Sequence, residues 1–568
     1  MTLDINDVQR MFSEMENEYM SAQQPTDVEL TTYLAPMRGS FSKQENRRRY
    51  LDGKTILNSH PITAADKCAA GFSSYLSDST KTWFAAKMLN GDPESKDASE
   101  WLAKLSTDMR LIFANSNIYS ELTNMYKEFN VYGRGCFLIA RDYNDVVRAY
   151  SFTAGSYWLG RDATGRINSF GCKQRKRVNQ LVSEFGYENC TVSIRNEYHR
   201  KNFSTYFTYN WLIYRSKEFG DTPMAKDKPY RSIKWLQPDN DSILEDKGHD
   251  YFPLVCAIAS PIDNTQIYAG EYPGVFCLPE AKELQALQRD LNTINAFNAK
   301  PPMVAHGIAD FSRMVPGGVI AFDAGMAAAG GNHMGMVPAI PFRDPTSLRE
   351  EIALKKQVID SIFYVDLFQL LKSLGPNRMT AYEVNRRYSE MIEAVGPVVM
   401  ALQSALQQLL DATLNILMTT MVNKDGRLVS LVESRIGPIP KELQGTELQF
   451  KFVGILSMLQ KSSEMLPMEQ LVQFLTYLRS STQGEGDDPM DWLDIDDIVK
   501  KYAANLGADE HLKGKDQVEE FRKLKQQAMA EQQNQQDAMT SIQAAATLSQ
   551  TPMGQQTAQG AVQGNPVQ

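Results

Sequence analysis

The sequence predicts an α+β fold that is mainly helical, with its strands gathered in one stretch and its longest helices after it. Three observations lead there. Apolar residues step by three and four before about residue 130 and again after about residue 280. From Val131 to about Arg215 the period changes to short β-branched and aromatic runs closed by Gly and Asp turns. Hydrophobic residues make up 43% and charged residues 22% of 568. That is enough apolar matter for several cores, so a disordered chain, a collagen-like fibre and a small disulfide-stapled scaffold are excluded.

In chain order, Asp66 to Leu76 carries Ala69, Ala70, Phe72, Tyr75 and Leu76 at helical spacing, with Trp83-Phe84 after a turn. Trp101 to Phe129 continues the pattern through Leu102, Leu105, Met109, Ile112, Leu122 and Met125. Gly133-Arg134-Gly135 then opens the strand run Cys136 to Ile139. Val146 to Tyr150, Tyr157 to Gly160 and Arg166 to Phe170 follow, and Asn196 to Arg215 is dense in aromatics. An α+β domain over residues 1–277 results.

Helices return with Leu284, Leu287, Leu291 and Ile294, a narrow seam expected over residues 278–299 and ended by Pro301-Pro302. Residues 300–345 are rich in Gly, Pro and Ala. A second helix is expected from Ser347, with Glu350 at capping-box spacing, to Leu374, where Gly375-Pro376-Asn377 breaks it. A third begins near Thr380 and carries Val395, Val398, Leu402, Leu406, Leu409, Leu410 and Leu417 on one face, with a kink expected at Gly396-Pro397. Its length suits an elongated subunit or one packed against neighbours. Leu448 to Val453 reads as a strand, residues 461–528 as helical, and the Gln-rich tail 529–568 as disordered.

The net charge is −9, from 59 Lys+Arg against 68 Asp+Glu. A free-standing binder of duplex DNA draws affinity from counterion release and carries a basic excess, which this chain lacks. The six cysteines are far apart without a CxxC pair, which fits buried thiols in a reducing compartment. The N-terminus has no apolar signal region, and no stretch reaches ~18 uninterrupted apolar residues. No membrane association is expected, and the chain reads as a soluble protein made in the cytoplasm.

Catalytic spacing is missing. There is no P-loop, GxSxG elbow or HExxH, and Leu138 stands where a dinucleotide loop would place its third glycine. The histidines lack ligand spacing. The acidic cluster Asp487, Asp488, Asp491, Asp494, Asp496 and Asp497 lacks the central glycine and terminal glutamate of an EF-hand, and dipole compensation at a helix start accounts for it. No enzyme activity, cofactor or metal is expected. Arg47-Arg48-Arg49 and Lys173 to Arg177 have the charge to hold phosphates, but a solvated helix face suits the first better and a strand edge the second. Lys372 and Arg378 are more telling, because they flank the break between two long helices, where a loop must project. Dipole compensation at a helix C-terminus is the competing account of Lys372.

The sequence resembles the portal protein (head-to-tail connector) family of short-tailed, T7-like podovirus phages. The stretches that carry the resemblance are Ala69-Ala70-Gly71-Phe72 leading to Trp83-Phe84, Tyr132-Gly133-Arg134-Gly135, Tyr251-Phe252-Pro253-Leu254 and Gly270-Glu271-Tyr272 before Leu278-Pro279-Glu280. Met379-Thr380-Ala381-Tyr382-Glu383-Val384 with Gly396-Pro397-Val398 is the most specific pair, and Leu493-Asp494-Ile495-Asp496-Asp497 with Gly507 is the last. Pro273 stands where that family usually has glycine, and Ser260 where arginine is common.

The resemblance implies a homododecameric ring at one capsid vertex, with a bore for double-stranded DNA bound without sequence specificity. It implies a wing over 1–277, stem helices over 278–299 and 346–373, and a clip over 300–345. A tunnel loop over 374–379 follows, with a long kinked wing helix and strand region over 380–460 and a crown over 461–528. Lys372, Gly375, Asn377 and Arg378 would line the bore. Terminase, then tail adaptor and nozzle proteins, and the major capsid and scaffolding proteins are the implied partners in the virion. An acidic bore would let a duplex slide, since each fixed cation adds a place where DNA is held. Without the resemblance, the residues also fit a helical scaffold or assembly protein with no DNA channel.

Overall fold

The computed structural model describes residues 5–38, 56–89, 95–216, 227–237, 243–259, 270–306, 318–322, 337–338, 344–372, 381–424 and 427–453, with short pieces at 224, 267–268, 315–316, 471, 474–476, 498 and 521–525. Two units are present, Met1–Glu464 and Met465–Gln568. In the second, the described residues 471, 474–476, 498 and 521–525 are helical. All elements below belong to the first.

The chain opens with helices α1 (Ile5–Ala22), α2 (Gln24–Tyr33) and α3 (His60–Leu76), strand β1 (Phe84–Met88), and helices α4 (Lys96–Asn115) and α5 (Ile118–Tyr132). Val8, Phe12, Met15 and Tyr19 make the buried stripe of α1. Ser95 caps α4, its hydroxyl accepting from the Ala98 amide. Gly133, at φ 70°, ends α5 in a left-handed turn that favours glycine. Strands β2 (Arg134–Asp142), β3 (Val146–Phe152), β4 (Tyr157–Arg161) and β5 (Ile167–Arg177) follow, then short helices α6 (Val178–Phe185) and α7 (Val192–His199). Strands β6 (Tyr206–Arg215), β7 (Tyr230–Gln237), β8 (Ile243–His249) and β9 (Leu254–Ile258) complete this part.

Next come α8 (Pro273–Ala299), strands β10 (Met303–His306), β11 (Val319–Phe322) and β12 (Val337–Pro338), and helices α9 (Thr346–Ile362), α10 (Val365–Lys372) and α11 (Ala381–Thr419). Strands β13 (Met421–Lys424) and β14 (Arg427–Ser430), helix α12 (Leu431–Arg435) and strand β15 (Leu448–Phe452) end the described order.

Strands β4 to β8 form a five-stranded antiparallel sheet in sequence order. On one face Phe12 of α1 packs edge-on between Trp158 and Trp235, with ring centroids 5.1 and 5.2 Å away. The other face forms a core with Val178, Leu181, Phe185 and Ile194 of α6 and α7. A three-stranded sheet, β3-β2-β9, closes that core. Alternation along it divides two interiors: Cys136, Leu138, Leu254 and Cys256 face the five-stranded sheet, while Phe137, Ile139, Val255 and Ala257 face the large helical core.

Both edges of the three-stranded sheet are closed by carboxamides. At β3, Asn117 Nδ2 donates to the Ala149 carbonyl (2.8 Å) and the Ala149 amide donates to Asn117 Oδ1 (2.9 Å). At β9, Gln408 of α11 takes the Cys256 amide (3.0 Å) and donates to its carbonyl (3.4 Å). Each amide stands in for a missing strand.

Four expectations are corrected. The helix expected over 278–299 starts at Pro273, whose fixed φ suits the first helical position, and it continues through Pro279. Ser347 makes no capping box; α9 starts at Thr346, whose amide and hydroxyl both turn onto Asp344. The helix expected to run to Leu374 is two helices, α9 and α10, parted where Tyr364 adopts φ 55°. Trp83-Phe84, expected among helices, leads β1, which pairs antiparallel with β15, Phe84 opposite Phe452.

Candidate functional site

The expected channel break lies between α10 and α11. Lys372 is the last residue of α10, while Gly375, Asn377 and Arg378 lie outside the described residues. Gly396 and Pro397 lie inside α11, which is helical without interruption from Ala381 to Thr419.

Both arms that reach the break are held by the large core. On the α10 side, Phe368 packs edge-on against Phe72 (5.3 Å) and stacks on Tyr75 (5.7 Å), both from α3. Gly71 makes room, since a Cβ there would fall 2.5 Å from the Phe368 ring. Phe363, Val365 and Leu367 are buried around the Tyr364 corner. On the α11 side, Val395, Val399, Leu402, Leu406, Leu409 and Leu410 are fully buried. A turn of backbone strain at Tyr364 is therefore held by four buried neighbours in sequence.

Ahead of the corner, α8 and α9 pack as a pair. Leu284, Leu291, Ile352 and Ile359 fill its buried seam. Lys355 bridges the helices, donating to Glu280 (2.8 Å) and lying 2.6 Å from Glu283. These two glutamates, Glu280 first, hold the Lys355 ammonium above its ordinary range. His60 at the start of α3 contacts Asp360 (3.1 Å), and the Gln285 carboxamide of α8 takes the Leu57 and Asn58 amides (2.7 and 2.9 Å). Phe276 of α8 and Leu354 and Val358 of α9 stay exposed, Leu354 at 62%.

The base of α8 is set by a buried charged joint. Asp27 of α2 pairs with Arg134 of β2, and both are almost inaccessible to solvent. Tyr19 Oη donates to Asp27 (2.8 Å), Gln23 Nε2 donates to it as well (2.9 Å), and the guanidinium lies over the Tyr19 and Tyr268 rings. Burial opposes the Arg134 charge, but Asp27 and the tyrosine hydroxyls outweigh it and hold the group above its usual range. Burial, then Asp27, pushes the Tyr19 hydroxyl up, so it stays a donor. Tyr272, just before α8, lies against Gly133, where a Cβ would be 2.3 Å from its ring, and a Cβ on Gly274 would strike the Val131 carbonyl at 2.1 Å. Thus Tyr132-Gly133-Arg134-Gly135 and Gly270-Glu271-Tyr272, far apart in sequence, meet at one joint.

The other sequence candidates divide. Lys173 and Lys176 pair with Glu16 and Glu184, while Arg175 and Arg177 lie over the Tyr206 ring at 4.7 and 5.4 Å. Past Cys172 only β6 pairs with β5, so this run is a local strand edge. Arg47-Arg48-Arg49 and the acidic cluster 487–497 lie outside the described residues. Among the described residues no group of three or more His, Cys, Asp or Glu is placed to hold a metal, and no helix is long and apolar enough to cross a membrane. Asp27, Lys355 and Phe368 had no short-range sequence signal; each is defined by a partner on a distant element.

Comparison with known proteins gives the arrangement its context. The family model "Bacteriophage head to tail connecting protein" matches residues 6–512. The chain belongs to this family. Among curated relatives, the "Portal protein" of Salmonella phage epsilon15 is 26% identical over 488 residues, 84% of each chain. The "Probable portal protein" of Bordetella phage BPP-1 is 27% identical over 497 residues, covering 85% of this chain and 84% of its own. The match spans the joint, the α8–α9 pair, the break and α11. A connector of phage heads and tails is a virion component, and the α+β architecture expected from sequence is the one observed.

Proposed function

We propose that copies of this chain close into a ring at one vertex of a phage capsid, and that double-stranded DNA enters and leaves through its bore. Membership of the connector family carries this reading. The fold supports it. The α8–α9 pair leaves Phe276, Leu354 and Val358 exposed, apolar side chains that a second copy in a closed ring would cover. In this reading residues 1–277 are the wing, α8 and α9 the stem, 300–345 the clip, 374–379 the tunnel loop, α11, with a kink proposed at Gly396-Pro397, the wing's spine, and 461–528 the crown. Twelve copies would multiply the formal charge of −9 twelvefold. Repulsion between such a wall and phosphates keeps a duplex mobile.

Motor chemistry is assigned to a partner, the terminase, because the sequence has no phosphate-cradling loop. The clip is the surface assigned to terminase and later to tail adaptor proteins, with scaffolding and major capsid proteins around the wing. Assembly is placed in the host cytoplasm.

Lys372, Asn377 and Arg378 are assigned to a ring at the constriction that touches passing phosphates without reading bases. The test is double replacement, Lys372→Ala with Arg378→Ala, in phage. Rings should still form, while packaged or retained DNA falls. Normal genome content in the variant would remove the loop from this role. Negative-stain images of purified chain should show an annulus with an open pore; a scaffold protein without a channel would show none.

A further inference from the structure

Cys136 and Cys256 stand directly opposite each other on antiparallel β2 and β9. The phase of the ladder fixes what lies between them. Ile139 donates to the Pro253 carbonyl (2.9 Å) and Ala259 to the Gly133 carbonyl (2.8 Å), so the hydrogen-bonded rungs are the odd-numbered residues of β2. Cys136–Cys256 is therefore a non-hydrogen-bonded rung. The Gln408 carboxamide agrees with this phase, because it meets the Cys256 amide and carbonyl on the side away from β2. Opposed Cα atoms in such a rung are ~4.5 Å apart. That lies inside the span a disulfide bridges, ~4.4–6.8 Å.

Both side chains point into the same core, where burial first and the Cys256 thiol after it push the Cys136 thiol up. The remaining cysteines offer no such rung: Cys172 stands opposite Tyr157 and Trp211, and Cys68, Cys190 and Cys277 lie on other segments. All six are free thiols in this structure.

We propose that Cys136 and Cys256 are a reversible modification site, thiols in reducing surroundings and a cross-strand disulfide in oxidising ones. The oxidant is a small-molecule disulfide. One cysteine, as thiolate, attacks it and expels one thiol, leaving a mixed disulfide. The second cysteine loses its proton and attacks the protein sulfur of that mixed disulfide, which expels the second thiol. Two S–H bonds are replaced by one S–S bond, and the two protons and two electrons end on the reduced oxidant. Burial pushes the Cys136 thiol up, so closure belongs to the minutes-to-hours range of uncatalysed exchange.

The bond would tie β2 to β9 and enclose the whole five-stranded sheet in the covalent loop. If the proposed portal function holds, the site is reduced during assembly in the cell and closes in the released particle. Only that timing rests on the functional reading.

The test uses the purified full-length chain, incubated with oxidised glutathione, alkylated, digested without reductant and mapped by mass spectrometry. The expected product is a peptide pair joined through Cys136 and Cys256, with the other four cysteines alkylated. The melting temperature should rise by several degrees and return with dithiothreitol. Recovery of both cysteines as alkylated thiols after prolonged oxidation, or their linkage to other partners, overturns the proposal. In Cys256→Ser the joined peptide and the melting shift should both vanish. A shift that persists there overturns it too, and should this variant not fold, the wild-type map decides alone. No arm of the test uses a ring or DNA, so its failure leaves the portal reading untouched.

Discussion

Both faces of the five-stranded sheet are covered, by α1 on one and by α6, α7 and the three-stranded sheet on the other, whereas α8 and α9 leave Phe276, Leu354 and Val358 uncovered. In the body made by the sheets and the helices before α8, charged groups that leave water find partners inside the same chain, above all Asp27 with Arg134 at the joint where α8 begins. Between α8 and α9, the bridging Lys355 keeps access to solvent. The contrast separates a region that is complete as a single chain from one that leaves large apolar side chains in solvent. A closed ring needs both: a rigid body to hold position, and surfaces whose burial waits for assembly.

The largest effect should come from breaking the self-contained region. Asp27→Ala leaves Arg134 buried without its counter-charge, and removing one partner of a buried pair costs ~3–5 kcal/mol. Urea unfolding of the dispersed chain measures it. A neutral outcome would show that the joint is hydrated, and would erase the contrast with the stem.

A smaller effect is expected at the edge of the three-stranded sheet. Gln408→Ala removes the amide that serves the Cys256 backbone, at a cost of about 1 kcal/mol. Hydrogen exchange at the Cys256 amide should quicken more than that of its neighbours in β9. Equal protection in both proteins would mean that another group seals this edge.

The smallest effect on stability belongs to the stem. Leu354→Asp with Val358→Asp should change the unfolding free energy of the chain by no more than ~0.5 kcal/mol, since both positions are exposed. Assembly, read by sedimentation, should nevertheless be lost. Retained assembly would move the contact between copies away from this side of α9.

Much of this contrast was legible in the sequence because it is written in local periods. The three-to-four stepping of Leu402, Leu406 and Leu409 marks α11, and the alternation through Phe207, Tyr209 and Trp211 marks β6. What stayed hidden depends on partners far along the chain. Phe84 becomes a strand because Phe452 lies opposite it, and Phe363-Tyr364 looks like uninterrupted helix until the packing of Phe368 on Phe72 bends the chain there. The short helices α6 and α7 are too brief for their period to stand out from the surrounding strands. At the candidate site, the break expected at Gly375-Pro376 lies outside the described residues. Of the residues that anchor its α10 arm, Gly71 stood in the Ala69-Ala70-Gly71-Phe72 run, while Phe368 carried no signal in its own neighbourhood.

Native mass spectrometry of the purified assembly is the sharpest test of the proposed closed ring. One species is expected at twelve times the 64.0 kDa chain mass, with an axial opening when the same sample is imaged. A monodisperse single chain under conditions that preserve assemblies, or particles of variable mass without an opening, would contradict it.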